Sequence, residues 1–309
     1  MSAPVIADRL AHRLTWQDLD PLVIAGLIQL ARLEDLFGHG LAMSPSQTGD
    51  VTSAVIESGS KPASARLIAR EDMTVCGLPM VQMVLDVYES GAVFEPACTD
   101  GTACMKGELL GTLKGPSRII LQAERVLLNF LQKLSGISSL TAEYVHAMGG
   151  SRTRLLDTRK TTPGFRVLEK YAVACGGGFN HRIGLFDRVM LKDNHLAADE
   201  AGSGEALAKL VRSARERWPE LVIELEVDRL DQIPPTLEAG VDVYLLDNFE
   251  MSELQSAIDM IGSKAATEAS GGITVDSLAT LAEVGLDFIS TGATIHKSTW
   301  KDIGLDWVE

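Results

Sequence analysis

The sequence predicts an α/β protein in which a turn-rich antiparallel sheet precedes a parallel sheet. Short apolar runs separated by glycine and proline fill roughly the first 115 residues, a pattern typical of antiparallel strands joined by tight turns. After Gly149-Gly150, strand-length apolar runs alternate with helical stretches, which indicates parallel strands joined by right-handed crossovers. At 309 residues, the chain is long enough for one large or two domains.

The N-terminal part is predicted to begin with a helix and to continue with strands. The apolar spacing over residues 22–37 predicts the helix. The runs 63–68 and 80–87 are short and apolar, and turn-forming residues such as Gly77 and Pro79 lie between them. Both runs are therefore predicted to be strands.

A long amphipathic helix follows. Ser117 is a typical N-cap, and apolar residues recur at three- and four-residue spacing from 118 to about 134. Another face is polar and includes Arg125. A polar stripe usually contacts water, but this one could also present Arg125 to a ligand or to a second subunit.

The remainder of the chain contains six predicted strand-helix units. An eight-fold α/β barrel needs roughly 250 residues, whereas these units occupy about 140. The prediction is therefore a reduced barrel or an open sheet. The strands are expected to begin near residues 154, 188, 221, 241, 265 and 286, with helices at 165–175, 205–218, 250–261 and 275–284.

In both architectures, a ligand binds beyond the carboxyl ends of the strands. The first two predicted ends are basic and the next two are acidic. The last two are small glycine-containing turns, whose N–H groups can approach a phosphate. Together these features suit a phosphorylated, polyanionic substrate and a divalent metal such as Mg²⁺. The segments concerned are 157–164, 180–182, 192–195, 224–228, 247–248, 270–272 and 291–293.

The charge distribution excludes some partners and favours others. The formal net charge is −14, although residues 118–192 contain twelve basic and five acidic residues. An acidic protein is a poor candidate for binding nucleic acid or an anionic membrane, so neither is expected as a partner. The basic segment is either a solvated surface or an anion site. Four cysteines without disulfide or zinc spacing and an N-terminus without a secretory signal predict a cytoplasmic protein.

Several sequence strings resemble, in order, those of the quinolinate phosphoribosyltransferase family. The most specific are TRKTTPGFR, within residues 157–173, and KDNH at 192–195. ERVLLNFLQKLSGIS and DGTACMKG, at 124–138 and 100–107, also resemble the family. The resemblance covers most of residues 100–309 and is weaker before them. The remaining strings are NHR, IELEV, LLDN, ASGGI and STGA, at 180–182, 223–227, 245–248, 269–273 and 290–293.

The resemblance implies an architecture and a reaction. It implies an N-terminal α/β sandwich domain over residues 1–128 and an incomplete α/β barrel of six or seven strands over 129–293. The tail at 294–309 would pack on the first domain, and the chain would form a homodimer or a hexamer of dimers. The reaction would transfer phosphoribosyl from phosphoribosyl pyrophosphate to quinolinate with Mg²⁺ and no organic cofactor. Its products would be nicotinate mononucleotide, pyrophosphate and CO₂, in de novo NAD synthesis.

The resemblance also assigns roles to individual residues. Arg125 would reach quinolinate across a dimer interface. Glu226 and Asp247 would lie near the ribose and hold the metal, directly or indirectly. Ser270, Gly271 and Gly292 would form phosphate-binding turns. The residues expected to line the quinolinate carboxylates are Arg159, His181, Arg182 and Lys192. Lys160 would lie alongside them and also near phosphate, and Thr158 would bind substrate. The residues expected to take part in catalysis are Lys160, Lys192, Glu226 and Asp247.

Two departures from the family pattern bear on specificity. The stretch FGHGLAMSPSQT at 37–48 looks inserted, and Ile295-His296-Lys297 stands where Thr-His-Ser is common. Three alternatives also stay open. The first is a paralogue associated with molybdenum transport, or another phosphoribosyltransferase that acts on a different aromatic acid. The second is a lyase using Lys160 or Lys192 as a Schiff-base amine, and the third is a non-catalytic sensor of a phosphorylated metabolite.

Overall fold

The computed structural model describes residues 3–55, 61–88, 91–198 and 201–308. The chain forms two units, which we call the barrel unit and the sheet unit. The barrel unit consists of residues 1–14 and 141–297, and the sheet unit consists of 15–140 and 298–309. Element labels below follow chain order.

The sheet unit is organised around a four-stranded antiparallel sheet. Its strands are β1 (Pro62–Ala69), β3 (Val93–Pro96), β5 (Leu109–Pro116) and β12 (Ile303–Trp307). Their order is β12-β1-β5-β3, so the C-terminal strand β12 pairs with β1. The short strands β2 (Met73–Thr74) and β4 (Ala103–Cys104) form a separate pair. The strand predicted at 63–68 is confirmed as β1.

The predicted helix at 22–37 is also confirmed, as α2 (Pro21–Phe37). The side chain of Asp20 accepts the N–H of Leu22 at 2.8 Å, and Pro21 occupies the first helical turn. The helix ends at Gly38, whose φ of 64° is the left-handed conformation that favours glycine. Local capping signals therefore set both ends of this helix.

The prediction of a strand at 80–87 was wrong, because these residues belong to helix α3 (Leu78–Val87). The carboxylate of Asp100 accepts the N–H groups of Gly77 and Leu78, at 2.9 Å each, and so caps the first turn. Buried apolar residues then recur at helical spacing, as at Leu78, Val81 and Leu85. A cap supplied from 22 residues away has no local sequence signature.

The long helix α4 (Ser117–Ala147) begins where predicted but continues well beyond residue 134. Serines interrupt the apolar pattern after that point, and two of them, Ser135 and Ser138, are buried. Their hydroxyls are satisfied by the neighbouring chain: Ser135 Oγ accepts the N–H of Cys76 at 3.0 Å, and Ser138 Oγ donates to the carbonyl of Thr74 at 2.5 Å. Tertiary hydrogen bonds thus permit a helical segment that its apolar pattern does not predict. The predicted domain boundary at 128/129 falls inside this helix.

The barrel unit is an incomplete α/β barrel with a six-stranded parallel sheet. The strand order is β7-β8-β9-β10-β11-β6, which leaves β6 and β7 at the two edges. Each strand begins within two residues of its predicted start, and the four predicted helices are confirmed. The strands are β6 (Arg154–Leu156), β7 (Val189–Leu191), β8 (Ile223–Val227), β9 (Val243–Asp247), β10 (Ala266–Ser270) and β11 (Phe288–Ser290). The helices are α5 (Arg166–Cys175), α6 (Asp193–Ala198), α7 (Gly204–Arg217), α8 (Met251–Ile261), α9 (Val275–Glu283) and α10 (Ala293–His296).

The N-terminal helix α1 (Ala3–Leu10) contributes to the barrel core. Ala7 and Leu10 are buried in one apolar cluster with Leu156 of β6, Val243 of β9 and Phe288 of β11. The cluster involves the first residues of β9 and β11, so the amino ends of these strands are covered and their carboxyl ends carry the polar residues. Along the described part of the chain, no helix is long and apolar enough to cross a membrane.

Candidate active site

The carboxyl ends of the parallel strands converge on a cavity of about 370 Å³. The strand register accounts for this convergence, because Ser270 at the end of β10 pairs with Asp247 at the end of β9. All lining residues belong to the barrel unit. Nine of the predicted site residues line it: Thr158, Arg159, Lys160, His181, Arg182, Lys192, Glu226, Asp247 and Ser270. The structure therefore brings these side chains together, and the roles assigned to them stay predictions.

Three predicted site residues do not line this cavity. Gly271 lines a second cavity, of about 350 Å³, which α8 and α9 flank. Its φ is +92°, and a Cβ at this position would lie 2.1 Å from Oδ1 of Asn248, so only glycine fits there. Gly292 lies against Lys160, since a Cβ at Gly292 would be 3.0 Å from Cδ of that lysine. Arg125 is on α4 in the sheet unit.

A buried network ties the two basic motifs together behind the cavity. Asp157, at the end of β6, accepts hydrogen bonds from Nζ of Lys170 at 2.5 Å, Nδ2 of Asn180 at 2.7 Å and the N–H of His181 at 2.8 Å. Lys170 also donates to the carbonyl of His181 at 3.0 Å. Because Asp157 directly precedes Thr158, this network holds the TRK segment next to the NHR segment.

Two arginines in the cavity have an environment that favours binding of an anionic ligand. Nε of Arg159 is buried and has no hydrogen-bond partner among the described residues. Burial, and then the positive charge of Arg159, lowers the pKa of the Arg182 guanidinium. Buried guanidinium N–H groups normally have acceptors, and carboxylates are the acceptors that match their planar geometry. An anion bound here would relieve both the missing hydrogen bond and the repulsion.

Glu226 and Lys192 form an ion pair inside the cavity, with 2.6 Å between Oε2 and Nζ. The sequence predicts a basic sector and an acidic sector in the site. This ion pair brings one residue of each sector into direct contact. Asp247, at the end of β9, accepts a hydrogen bond from the side chain of Asn248 at 2.9 Å. Asn248 has a left-handed backbone with φ 56°, a conformation that asparagine tolerates better than most residues.

Further polar side chains lie beside His181. The imidazole accepts the N–H of Arg182 at Nδ1, at 2.8 Å, so its ring hydrogen is on Nε2 and points toward Glu224, 3.2 Å away. Nη1 of Arg188 donates to Glu224 at 2.8 Å. Burial alone would favour the neutral acid, but His181 and Arg188 more than offset it and lower the pKa of Glu224. Glu268 completes the group, with Oε1 3.6 Å from Nε2 of His181.

Part of the cavity was not predicted from the sequence. Glu224 was predicted at a strand end but without a site role, and no role was predicted for Glu268, an acid inside the otherwise small and mostly apolar strand β10. The available signal was alternation, because Glu268 and Ser270 are two residues apart and so face the same side of the strand. The lining residues not predicted are Met190, Leu245, Glu268 and Ser290.

Two models of one protein family match most of the chain after residue 49. The quinolinate phosphoribosyl transferase C-terminal domain matches residues 137–306, and the N-terminal domain of the same family matches residues 50–135. The chain belongs to the quinolinate phosphoribosyltransferase family. The resemblance carried by the TRKTTPGFR and KDNH strings is thereby confirmed.

Individual family members align over most of their length. A probable nicotinate-nucleotide pyrophosphorylase (carboxylating) of Bacillus subtilis is 37% identical, over 89% of this chain and 93% of its own. The nicotinate-nucleotide pyrophosphorylase (carboxylating) of Mycobacterium leprae is 36% identical, over 83% of this chain and 90% of its own. The crystal structure of NadC from Streptococcus pyogenes superposes with a TM-score of 0.85 at 35% identity, covering 94% of this chain and 99% of that one.

Proposed function

We propose that this family member transfers the phosphoribosyl group of phosphoribosyl pyrophosphate to quinolinate. The products are nicotinate mononucleotide, pyrophosphate and CO₂. The observation that supports this function most directly is the cavity itself. Two arginines, two lysines and three acidic side chains from separate segments of the barrel unit face one space of about 370 Å³. The relatives named above carry names for the same reaction and align over most of both chains.

Quinolinate is a dianion, and the arginines suit its carboxylates. Arg159 offers an unpartnered buried N–H and Arg182 lies beside it. A guanidinium can bind a carboxylate through two parallel hydrogen bonds, which a lysine cannot. The network centred on Asp157 positions both arginine-containing segments before the substrate arrives, and this preorganisation lowers the cost of binding.

The acidic side of the cavity suits the ribose. As pyrophosphate leaves, positive charge develops on the ribose ring, and a fixed carboxylate stabilises that charge. Glu226 and Asp247 are the predicted candidates. Lys160 and Lys192 would neutralise the phosphates and carboxylates, and the turns at Ser270, Gly271 and Gly292 would receive phosphate oxygens. This chemistry needs no covalent nucleophile.

The donor set of the cavity fits Mg²⁺. Magnesium takes oxygen ligands and usually binds one or two carboxylates together with substrate phosphates. Glu226 already pairs with Lys192, so Asp247 is the carboxylate with more freedom to accept the metal. When bound, Mg²⁺ would neutralise the charge of the departing pyrophosphate.

A second group of possible metal ligands, His181, Glu224 and Glu268, is a poorer choice. Their donor atoms lie within 4.8 Å of one another. The guanidinium of Arg188, however, is 2.8 Å from Glu224 and 3.2 Å from His181. A positive charge already occupies this group, which disfavours a second cation.

We also propose that the active form is a homodimer, or a larger assembly of dimers, in which Arg125 of one protomer completes the site of another. The support is the resemblance of the helix sequence around Arg125 to the family. A cytoplasmic location is in keeping with the four cysteines, which form no disulfide among the described residues, and with phosphorylated reactants.

The decisive experiment mixes the purified protein with quinolinate, phosphoribosyl pyrophosphate and Mg²⁺, and measures nicotinate mononucleotide and CO₂. Formation of both supports the proposal, and chelation with EDTA should abolish it if Mg²⁺ is required. Nicotinate in place of quinolinate tests the alternative acceptor. Turnover of nicotinate alone, or of neither acid, would contradict the proposed function.

A further inference from the structure

Glu268 is an unexpected residue in a cavity built for anions. Its side chain is 0% exposed, yet it is one of the lining residues. Neither carboxyl oxygen has a partner with hydrogen-bond geometry among the described residues. The Ser290 hydroxyl on β11 and Nε2 of His181, 3.6 Å away, are its polar neighbours. A buried carboxyl that faces a ligand cavity with so few polar neighbours calls for a chemical explanation.

The surrounding charges favour a neutral Glu268. Glu224 takes the hydrogen bonds of the group, from Arg188 at 2.8 Å and from His181 at 3.2 Å, and therefore carries the negative charge. Burial, and then the charge of Glu224, raises the pKa of Glu268. His181 and Arg188 oppose this shift without reversing it. Its burial beside the charged Glu224 therefore favours the protonated form of Glu268 over the carboxylate.

The proposed reaction requires a proton. Quinolinate loses a carboxylate from the carbon next to the ring nitrogen, and the product has hydrogen at that carbon. We propose that Glu268 is the proton donor for this carbon, as a catalytic residue for the decarboxylation half of the reaction. This inference rests on the proposed function and adds to it a role for a residue that the family resemblance did not assign.

The step balances in atoms and electrons. The bond between the ring carbon and its carboxylate breaks, and the electron pair stays on the ring carbon beside the alkylated, positively charged nitrogen. CO₂ leaves, the proton on Glu268 forms the new C–H bond, and Glu268 becomes a carboxylate. His181, with Nε2 3.6 Å from Oε1, and the positive charge of Arg188 would stabilise that carboxylate until a proton from solvent restores the acid.

Other acids of the cavity are less suitable donors. Nζ of Lys192 is held by Glu226 at 2.6 Å. The ring hydrogen of His181 is directed to Glu224, and its Nδ1 already accepts a backbone N–H. Arginines do not release protons at neutral pH. Lys160 is exposed and is the residue expected near phosphate.

The test separates the two halves of the reaction in single turnover, with enzyme in excess. Glu268→Gln keeps the shape and the neutral charge of the side chain but removes the proton. We expect pyrophosphate release within about threefold of wild type, while formation of nicotinate mononucleotide slows on the order of 100-fold. Glu283→Gln, an exposed change at the end of α9, should leave both rates unchanged.

Two results would overturn the inference while leaving the proposed function intact. One is that wild type is active and Glu268→Gln forms nicotinate mononucleotide at the same rate. The other is equal slowing of pyrophosphate release and product formation, which would make Glu268 a binding or structural residue. If the variant does not fold, wild type in D₂O still provides a test. Product formation should slow by about twofold or more relative to pyrophosphate release, and equal slowing of the two would contradict proton donation. A wild type without any product would instead refute the proposed function.

Discussion

Lys170 and Asp157 form an ion pair that is fully buried, with 2.5 Å between Nζ and Oδ1. The pair joins α5 to the end of β6, directly before the residues that enter the cavity. Burial raises the pKa of Asp157 and lowers that of Lys170, whereas the close contact between the two opposes both shifts. The contact between the two side chains therefore offsets part of the cost of burying their charges.

Removing the lysine should destabilise the fold strongly. Lys170→Met leaves the Asp157 carboxyl buried without its main partner, and such changes cost about 3–5 kcal/mol. Urea unfolding should give a lower midpoint at an unchanged slope. Lys264→Met, which removes an exposed partner of Glu238, is the matched control and should have little effect. Equal stability of both variants would contradict the structural role of the buried pair.

Stability should depend on pH through Glu268. The pKa of this group is raised above its ordinary 4.5, so the folded state retains a proton that the unfolded chain releases. Its contribution is fully present below the unfolded pKa and is lost as the pH rises toward the folded value, by at most about 1.4 kcal/mol per pH unit. Glu268→Gln should therefore gain stability relative to wild type as the pH rises above the ordinary pKa of 4.5. If the difference in unfolding free energy between wild type and Glu268→Gln is the same at every pH, the pKa of Glu268 is not raised by folding.

Arg159 should matter for quinolinate. Arg159→Ala removes the guanidinium whose Nε has no hydrogen-bond partner in the part of the chain that the structure describes, so folding should be little affected. We expect kcat/KM for quinolinate to fall at least about tenfold, or about 1.4 kcal/mol. Arg212→Ala, which breaks a surface pair with Glu205, should behave as wild type. Unchanged kinetics for Arg159→Ala would remove this residue from the site.

Shared sites would be revealed by mixing two inactive variants. If Arg125 acts on the site of a partner subunit, Arg125→Ala and Arg159→Ala can form mixed dimers that contain one intact site. Partial activity should then return after the variants are mixed and allowed to exchange subunits. The proposal fails if heterodimers form, as mass spectrometry can establish, and no activity returns.

A small residue is required where α4 meets the C-terminal segment. A Cβ on Gly136 would lie 2.1 Å from the carbonyl oxygen of Thr299, so Gly136→Ala must displace backbone and should cost about 1–3 kcal/mol or more. The matched variant Gly26→Ala, within α2 with no atom within 4 Å of the new Cβ, should instead stabilise by up to about 1 kcal/mol. Thermal unfolding of the two variants compares them directly.

Much of the barrel unit could be predicted because the residue pattern of each strand and helix lies within a short segment of the sequence. Each parallel strand is a short apolar run bounded by polar residues or glycine, and each predicted helix shows a 3.6-residue period. Parallel strands place their carboxyl ends on one side of the sheet, so Lys192, Glu226 and Asp247 could be expected at one cavity without any coordinates.

The sequence by itself determined the alternating strands and helices, the polar strand ends and the family. Only the tertiary structure decided that residues 80–87 form a helix, that Lys192 pairs with Glu226, and that Glu268 is buried beside the charged Glu224. The reason is physical: a short apolar run fits a strand or a helix equally well until a distant group, here Asp100, caps it. The charge state of an acid likewise depends on which groups the fold places around it, and for Glu268 those groups come from three other segments of the chain.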